Sequence, residues 1–172
     1  MSRTHSSSSS VAPWEPVPEP SVPDAEVAAA LARLWTSLDE QLSGPAASCR
    51  ACGECCDFQR RGHVLFATKA ELDVCLDWAR RHLTPAPQEY RRRLTAGRCP
   101  FQDGRLCLVH PARPLGCRIY YCCDEDAALV ERVSADAHHE LRQALRAKEL
   151  LQWYGPALAY IEAAMPLLCE PI

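Results

Sequence analysis

The stretch CRACGECCDF, Cys49 to Phe58, puts four cysteines into eight positions. A Cys-x2-Cys pair brings two sulfurs onto one tetrahedral ion through a tight loop, and Gly53 gives that loop the freedom to turn. Cys49, Cys52 and Cys55 reproduce the C-x2-C-x2-C run of bacterial ferredoxins, whose remaining cluster ligand is a distant cysteine followed by proline. Cys99-Pro100 offers such a pair, so a [4Fe-4S] cluster on Cys49, Cys52, Cys55 and Cys99 is one reading. Cys56 departs from that pattern. Neighbouring side chains diverge, which favours dividing Cys55 and Cys56 between two metals, or between a metal and the core. With Cys75 set aside, nine thiols from Cys49 to Cys123 also allow two four-thiolate zinc sites, with His110 able to replace one sulfur. The spacing defines the ligand type more closely than the metal, and the expected cofactor is an iron-sulfur cluster or zinc. The radical S-adenosylmethionine spacing C-x3-C-x2-C is absent.

Compartment supports the metal reading. The N-terminal sequence has no apolar run of signal-peptide length, and no segment nears the roughly 18 apolar residues that span a bilayer. A cytoplasmic location without membrane association is therefore expected. Thiols stay reduced there, so 11 cysteines, an odd number, read as metal ligands or redox groups rather than as a disulfide framework.

The charge is uneven. From Cys49 to Cys123 there are 13 arginines and lysines against 7 acids, a net +6, and the flanks carry the remaining −9 of a total of −3. A basic region suggests nucleic acid first, but this one also holds 10 of the 11 cysteines. Positive surroundings lower the cost of forming thiolates, so the arginines are read as counter-charge for a metal centre in preference to a nucleic-acid face.

Around the cluster the periodicity is helical. Residues 1–22 are rich in Ser, Pro and Glu and read as a disordered tail, and residues 23–172 as one domain with a metal-binding core at 49–123. A helix is predicted from Asp24, with Val27, Leu31, Leu34, Leu38 and Leu42 on one face and Gly44-Pro45 ending it. Thr68 to Glu71 form a capping box opening a second helix, on which Cys75 reads as a small core residue. A short helix spans Pro87 to Ala96, and a long one runs from about Asp126 to Tyr154, where Gly155-Pro156 breaks it before a last short helix. Asp103-Gly104 predicts a two-residue hairpin turn, which would set Cys99 near Leu108 and Cys107 near Pro100. With little other strand, the expected fold is mainly α: a small helical domain around an irregular cysteine-rich loop region with a short hairpin.

These residues carry a resemblance. CRACGECC at Cys49 to Cys56, followed by CPFQDGRLCLVHPARPLGCRIY at Cys99 to Tyr120, resembles the YkgJ family of CxxCxxCC proteins, zinc- or iron-chelating domains. The resemblance implies a ligand set of Cys49, Cys52, Cys55, Cys56, Cys99, Cys107 and Cys117, adding Cys117, which spacing alone does not single out. Cys122 and Cys123 lie just beyond the motif as weaker candidates, and His110 stands where the family often has Tyr. A related cysteine pattern occurs in flagellin lysine N-methylase, so the resemblance also admits an enzyme.

Other residues admit plainer roles. Arg113 and Arg118 bracket Cys117 and could donate to a sulfur, hold an anionic substrate, or pair with acids. Phe101, Tyr120 and Tyr121 read as an apolar cover for the metal region. His138 and His139 point about 100° apart on a helix, which disfavours a shared metal. Cys169 reads as a spare thiol. No P-loop, dinucleotide fingerprint or nucleophile motif is present.

Overall fold

The computed structural model describes residues 16–42, 53–120, 127–148, 150 and 153–169. Helix α1, Ala25–Gln41, starts where Asp24 accepts the backbone N–H groups of Glu26 and Val27 at 2.9 and 3.0 Å. That cap satisfies two donors that a helix start otherwise leaves open. Its buried stripe, Val27, Leu31, Trp35 and Leu38, packs on α6, Ala127–Arg146, through Val133, Ala137, Leu141 and Leu145. This pair forms the first core.

Between the two come α2 (Phe58–Arg61), strand β1 (Phe66–Thr68), α3 (Lys69–His82), α4 (Pro87–Thr95), strands β2 (Gln102–Asp103) and β3 (Leu106–Cys107), and α5 (Leu115–Ile119). After α6 the chain forms β4 (Tyr154–Pro156), α7 (Ala157–Ala163) and α8 (Met165–Cys169). The second core gathers Leu72, Cys75, Leu76 and Ala79 of α3 against Tyr160, Ile161 and Leu168 of the last two helices. Helix α3 thus stands between the cores, with Ala70 and Val74 turned to the α1–α6 side. Cys75, 2% exposed, holds the core position predicted for it. The architecture is mainly α, as the periodicity implied.

The capping box is present: Thr68 N–H and Oγ1–H donate to Glu71 Oε2 at 2.9 and 2.7 Å, and Glu71 N–H donates to Thr68 Oγ1. Asp73 makes a second buried junction. It accepts Tyr160 O–H at 2.6 Å and Lys69 Nζ at 2.6 Å, and also takes the N–H and hydroxyl of Ser21. Ser21, near the end of the segment expected to be a disordered tail, is hydrogen-bonded to α3, and residues 1–15 lie outside the described residues.

Three expectations need correcting. The long helix ends at Arg146, eight residues before Tyr154. The chain then returns as β4, pairing antiparallel with β1 in the register Phe66↔Pro156 and Thr68↔Tyr154. Three-residue strands carry too few alternations to announce themselves, and Gly155-Pro156 breaks the helical pattern within a strand rather than a loop. The hairpin is also shifted: Asp103 pairs Leu106 and Gln102 pairs Cys107, so Gly104-Arg105 are the central turn residues. Gly104 takes the left-handed φ of 56° at the first central position, and Cys107 faces Gln102 instead of Pro100.

Candidate metal centre

Three chain segments bring their thiols to one cavity. The first begins at Gly53, whose φ of 72° reverses the chain into a single 3-10 turn, Glu54–Cys56. A side chain at Gly53 would place its Cβ 2.6 Å from Gln102 Nε2 and 3.0 Å from Arg105 Cα. The close approach is used: Gln102 Nε2 donates to the carbonyls of Gly53 and Gly104 at 2.8 and 3.1 Å, binding the turn to the β2–β3 hairpin. Asp57 then caps α2 by accepting Arg60 N–H at 3.1 Å.

The second segment runs alongside the first. Cys99 N–H donates to Cys56 C=O at 2.9 Å, Gln59 N–H donates to Gly97 C=O at 3.1 Å, and Asp57 and Arg98 bridge between them. The thiols follow the backbone to one cavity, which Cys55, Cys56 and Cys99 all line. Neighbouring Cys55 and Cys56 occupy a tight 3-10 turn and both line the cavity. Cys107 joins the same cavity wall from β3.

Cys117 arrives on α5. Gly116 permits this, since a Cβ there would sit 2.7 Å from Leu65 Cδ1 and 3.3 Å from Phe66 C=O. The start of α5 is held by Glu71, 1% exposed, whose Oε1 accepts Leu115 N–H at 2.7 Å. Arg118 holds its end: it donates to Asp39 at 2.5 Å, to Arg113 C=O at 2.9 Å and to Pro111 C=O at 2.7 Å, and stacks on Trp35 at 4.7 Å. Arg118 is thus a clamp between α1 and α5, with its guanidinium committed to acids and carbonyls. Arg113 differs. Its Nη2 lies 3.5 Å from Asp39, while its buried Nε has no acceptor among the described residues and the residue lines the cavity.

The surroundings of Cys55, Cys56, Cys107 and Cys117 favour the protonated thiol. Hydrogen bonding to Cys56, then burial, raises the Cys55 thiol far above its ordinary range. Cys55 lowers the Cys56 thiol, but hydrogen bonding to Cys99 and burial outweigh this and carry it up to about 12. Burial raises Cys107 and Cys117, and neighbouring thiols push Cys117 further. Arg113 acts in the other direction on Cys55 and Cys107, favouring thiolate.

The donor set tests what the cavity suits. Cys55, Cys56, Cys99, Cys107 and Cys117 are soft sulfur donors on one wall, the chemistry that selects zinc and iron-sulfur centres. Among the described residues, no three His, Cys, Asp or Glu side chains converge closely enough to enclose an ion. Cys49 and Cys52, and likewise Cys122, Cys123 and Tyr121, lie outside the described residues. His110 falls in a 3-10 turn, His110–Ala112, exposed and away from the cavity lining. Phe101 is 1% exposed and lines the cavity, as does Tyr120. Cys169 packs against the second core instead.

Two histidines enter that sequence reasoning did not place there. His63 lines the cavity, stacked on Tyr120 at 4.7 Å and edge-on to Phe58 at 5.1 Å, with Nδ1 buried and without a partner among the described residues. A lone histidine after Gly62 has no spacing partner to reveal it. His138 also lines the cavity, whereas His139 contacts Gln143 at 2.7 Å, so the pair does diverge.

Residues 48–138, more than half of the chain, match a family model named CxxCxxCC and described as "Putative zinc- or iron-chelating domain". No curated protein and no solved structure matches the chain. With its thiols gathered from the turn after Gly53, the hairpin and α5, the chain belongs to the CxxCxxCC family.

Proposed function

We propose that the chain holds zinc or iron, the latter as an iron-sulfur cluster, through thiolates of Cys49, Cys52, Cys55, Cys56, Cys99, Cys107 and Cys117. The observation that carries this reading is the junction at Cys56. Its carbonyl accepts Cys99 N–H at 2.9 Å, and both residues line the cavity shared with Cys55, Cys107 and Cys117. Residues more than forty positions apart are thereby brought together.

The bound metal would act as a cross-link. Joining the Gly53 turn, the hairpin and α5 at one centre converts binding energy into folding energy. Arg113 supplies counter-charge beside it, and Phe101, Val109 and Leu72 keep water from that wall. The domain is a single unit from residue 23 onward in this reading, and its location is cytoplasmic. Among the described residues no helix is long and apolar enough to cross a membrane.

A nucleic-acid role draws little support from the arginines, many of which are engaged: Arg92 and Arg93 pair with Glu89, Arg61 with Glu54, Arg98 with Asp57 and Arg81 with Asp77. The test of the metal is elemental and acid-labile sulfide analysis of protein purified without oxygen, read with its visible absorption. Iron with matching sulfide and a broad visible band identifies a cluster. Colourless protein with zinc and no sulfide identifies closed thiolate sites. Protein free of both metals, with the thiols titrating as free, overturns the proposal.

A further inference from the structure

A closed circuit of hydrogen bonds joins the turn that carries Cys56 to the chain at Cys99, and Gln102 completes it. Cys56 C=O accepts Cys99 N–H at 2.9 Å, and Cys99 C=O accepts Gln102 N–H at 3.2 Å. Gln102 Nε2 then donates to Gly53 C=O at 2.8 Å, the same carbonyl that takes Cys56 N–H at 3.2 Å. In the hairpin ladder Gln102 stands opposite Cys107, and its Nε2 also reaches Gly104 C=O at 3.1 Å. One residue, 5% exposed, thus links the Cys55–Cys56 turn, Cys99 and the strand of Cys107. The position calls for an amide. Both partners of Nε2 are carbonyl acceptors, and a primary amide carries two N–H groups on one nitrogen. A carboxylate would set acceptor against acceptor, and an aliphatic side chain would supply neither bond. The contact also excludes a side chain at position 53, where a Cβ would meet Nε2 at 2.6 Å.

We propose that Gln102 is the positioning residue of the metal centre, its amide locking the Cys55–Cys56 turn against Cys99 and the hairpin so that these thiols stand together for ligation. Segments held in place beforehand avoid the ordering cost that loops otherwise meet on binding. Partners behind the ligands of a metal site tune its affinity in the same way. The inference rests on the metal reading and extends it to a residue that itself supplies no ligand.

The test uses the full chain purified without oxygen, with zinc affinity measured by competition against a chromophoric chelator in native protein, Gln102→Met and Leu141→Ala. Methionine keeps the length of the side chain without its donors. Leu141, 2% exposed in the α1–α6 core and outside the cavity lining, reports general destabilisation. Gln102→Met is expected to bind zinc about 10–100-fold more weakly, and Leu141→Ala to stay within about twofold of native. With cobalt(II) in place of zinc, the sulfur-to-cobalt absorption is expected to change in Gln102→Met and to match native in Leu141→Ala. Native affinity in Gln102→Met, or an equal loss in both variants, overturns the proposal. Where Gln102→Met does not fold, the native chain decides. Its Gln102 side-chain amide is expected to exchange hydrogen about tenfold or more slowly than that of exposed Gln41, and equal exchange overturns the proposal. Native protein that takes up neither zinc nor cobalt overturns the metal reading and this inference with it, a result distinct from native binding that Gln102→Met leaves unchanged.

Discussion

Glu71 Oε1 accepts the backbone N–H of Leu115 at 2.7 Å, while its Oε2 takes the N–H and hydroxyl of Thr68. One buried carboxylate thus closes the capping box of α3 and fixes the start of α5, two residues before Cys117. Glu71→Gln replaces one accepting oxygen by an NH2 that must face a donor. The expected cost is about 1–3 kcal/mol in urea unfolding, accompanied by weaker metal retention because α5 is no longer pinned. A change below about 0.5 kcal/mol would mean that the junction is dispensable.

Gly53→Ala tests the turn that presents Cys55 and Cys56. The new Cβ meets Gln102 Nε2 at 2.6 Å, on a backbone with φ of 72°. A loss of about 1–3 kcal/mol in stability is expected, with metal content falling in the same samples. Unchanged thermal unfolding would show that the turn relaxes without consequence.

Arg118→Lys isolates the clamp. Lysine keeps the charge toward Asp39 but lacks the planar fork that reaches Arg113 C=O and Pro111 C=O together. The expected loss is about 1–3 kcal/mol, measured by denaturant titration of the metal-loaded and metal-free chain.

The thiols impose a pH dependence of known sign. Cys107 and Cys117 must each lose a proton on binding metal, since burial and neighbouring thiols raise both above their ordinary values. Zinc titration is therefore expected to release protons, seen calorimetrically as an enthalpy that changes with buffer ionisation heat, and loading should weaken as pH falls. For the metal-free chain the sign reverses. A thiol raised on folding contributes its full stability below its unfolded value of 9.0 and loses it as pH rises toward the folded value. Unfolding should thus become easier above that pH. Buffer-independent zinc binding would contradict the ligand assignment.

Much of this arrangement was legible in the sequence because it rests on local rules. Asp24, the Thr68–Glu71 box and the apolar stripe of α1 act through neighbours three or four positions away, and periodicity exposes them. The cysteine constellation was legible because few other roles explain four thiols in eight positions. What escaped was set by tertiary pairing. β1 and β4 find each other across 86 residues with three pairs. The hairpin register turned on where Gly104 placed its positive φ, and Gln102 favours the observed one by bonding Gly104 and Gly53 from a single amide. His63 becomes notable only when the cavity is assembled around it.

The most direct test of the central claim is metal per chain in the native protein, Cys117→Ser and Cys75→Ser, purified identically without oxygen. Both thiols line the same cavity, but Cys75 is a core residue of α3 and Cys117 is assigned as a ligand. Cys75→Ser is expected to retain native metal content while losing about 1–3 kcal/mol from a buried hydroxyl, whereas Cys117→Ser loses metal and stability together. Full metal occupancy in Cys117→Ser would contradict the account.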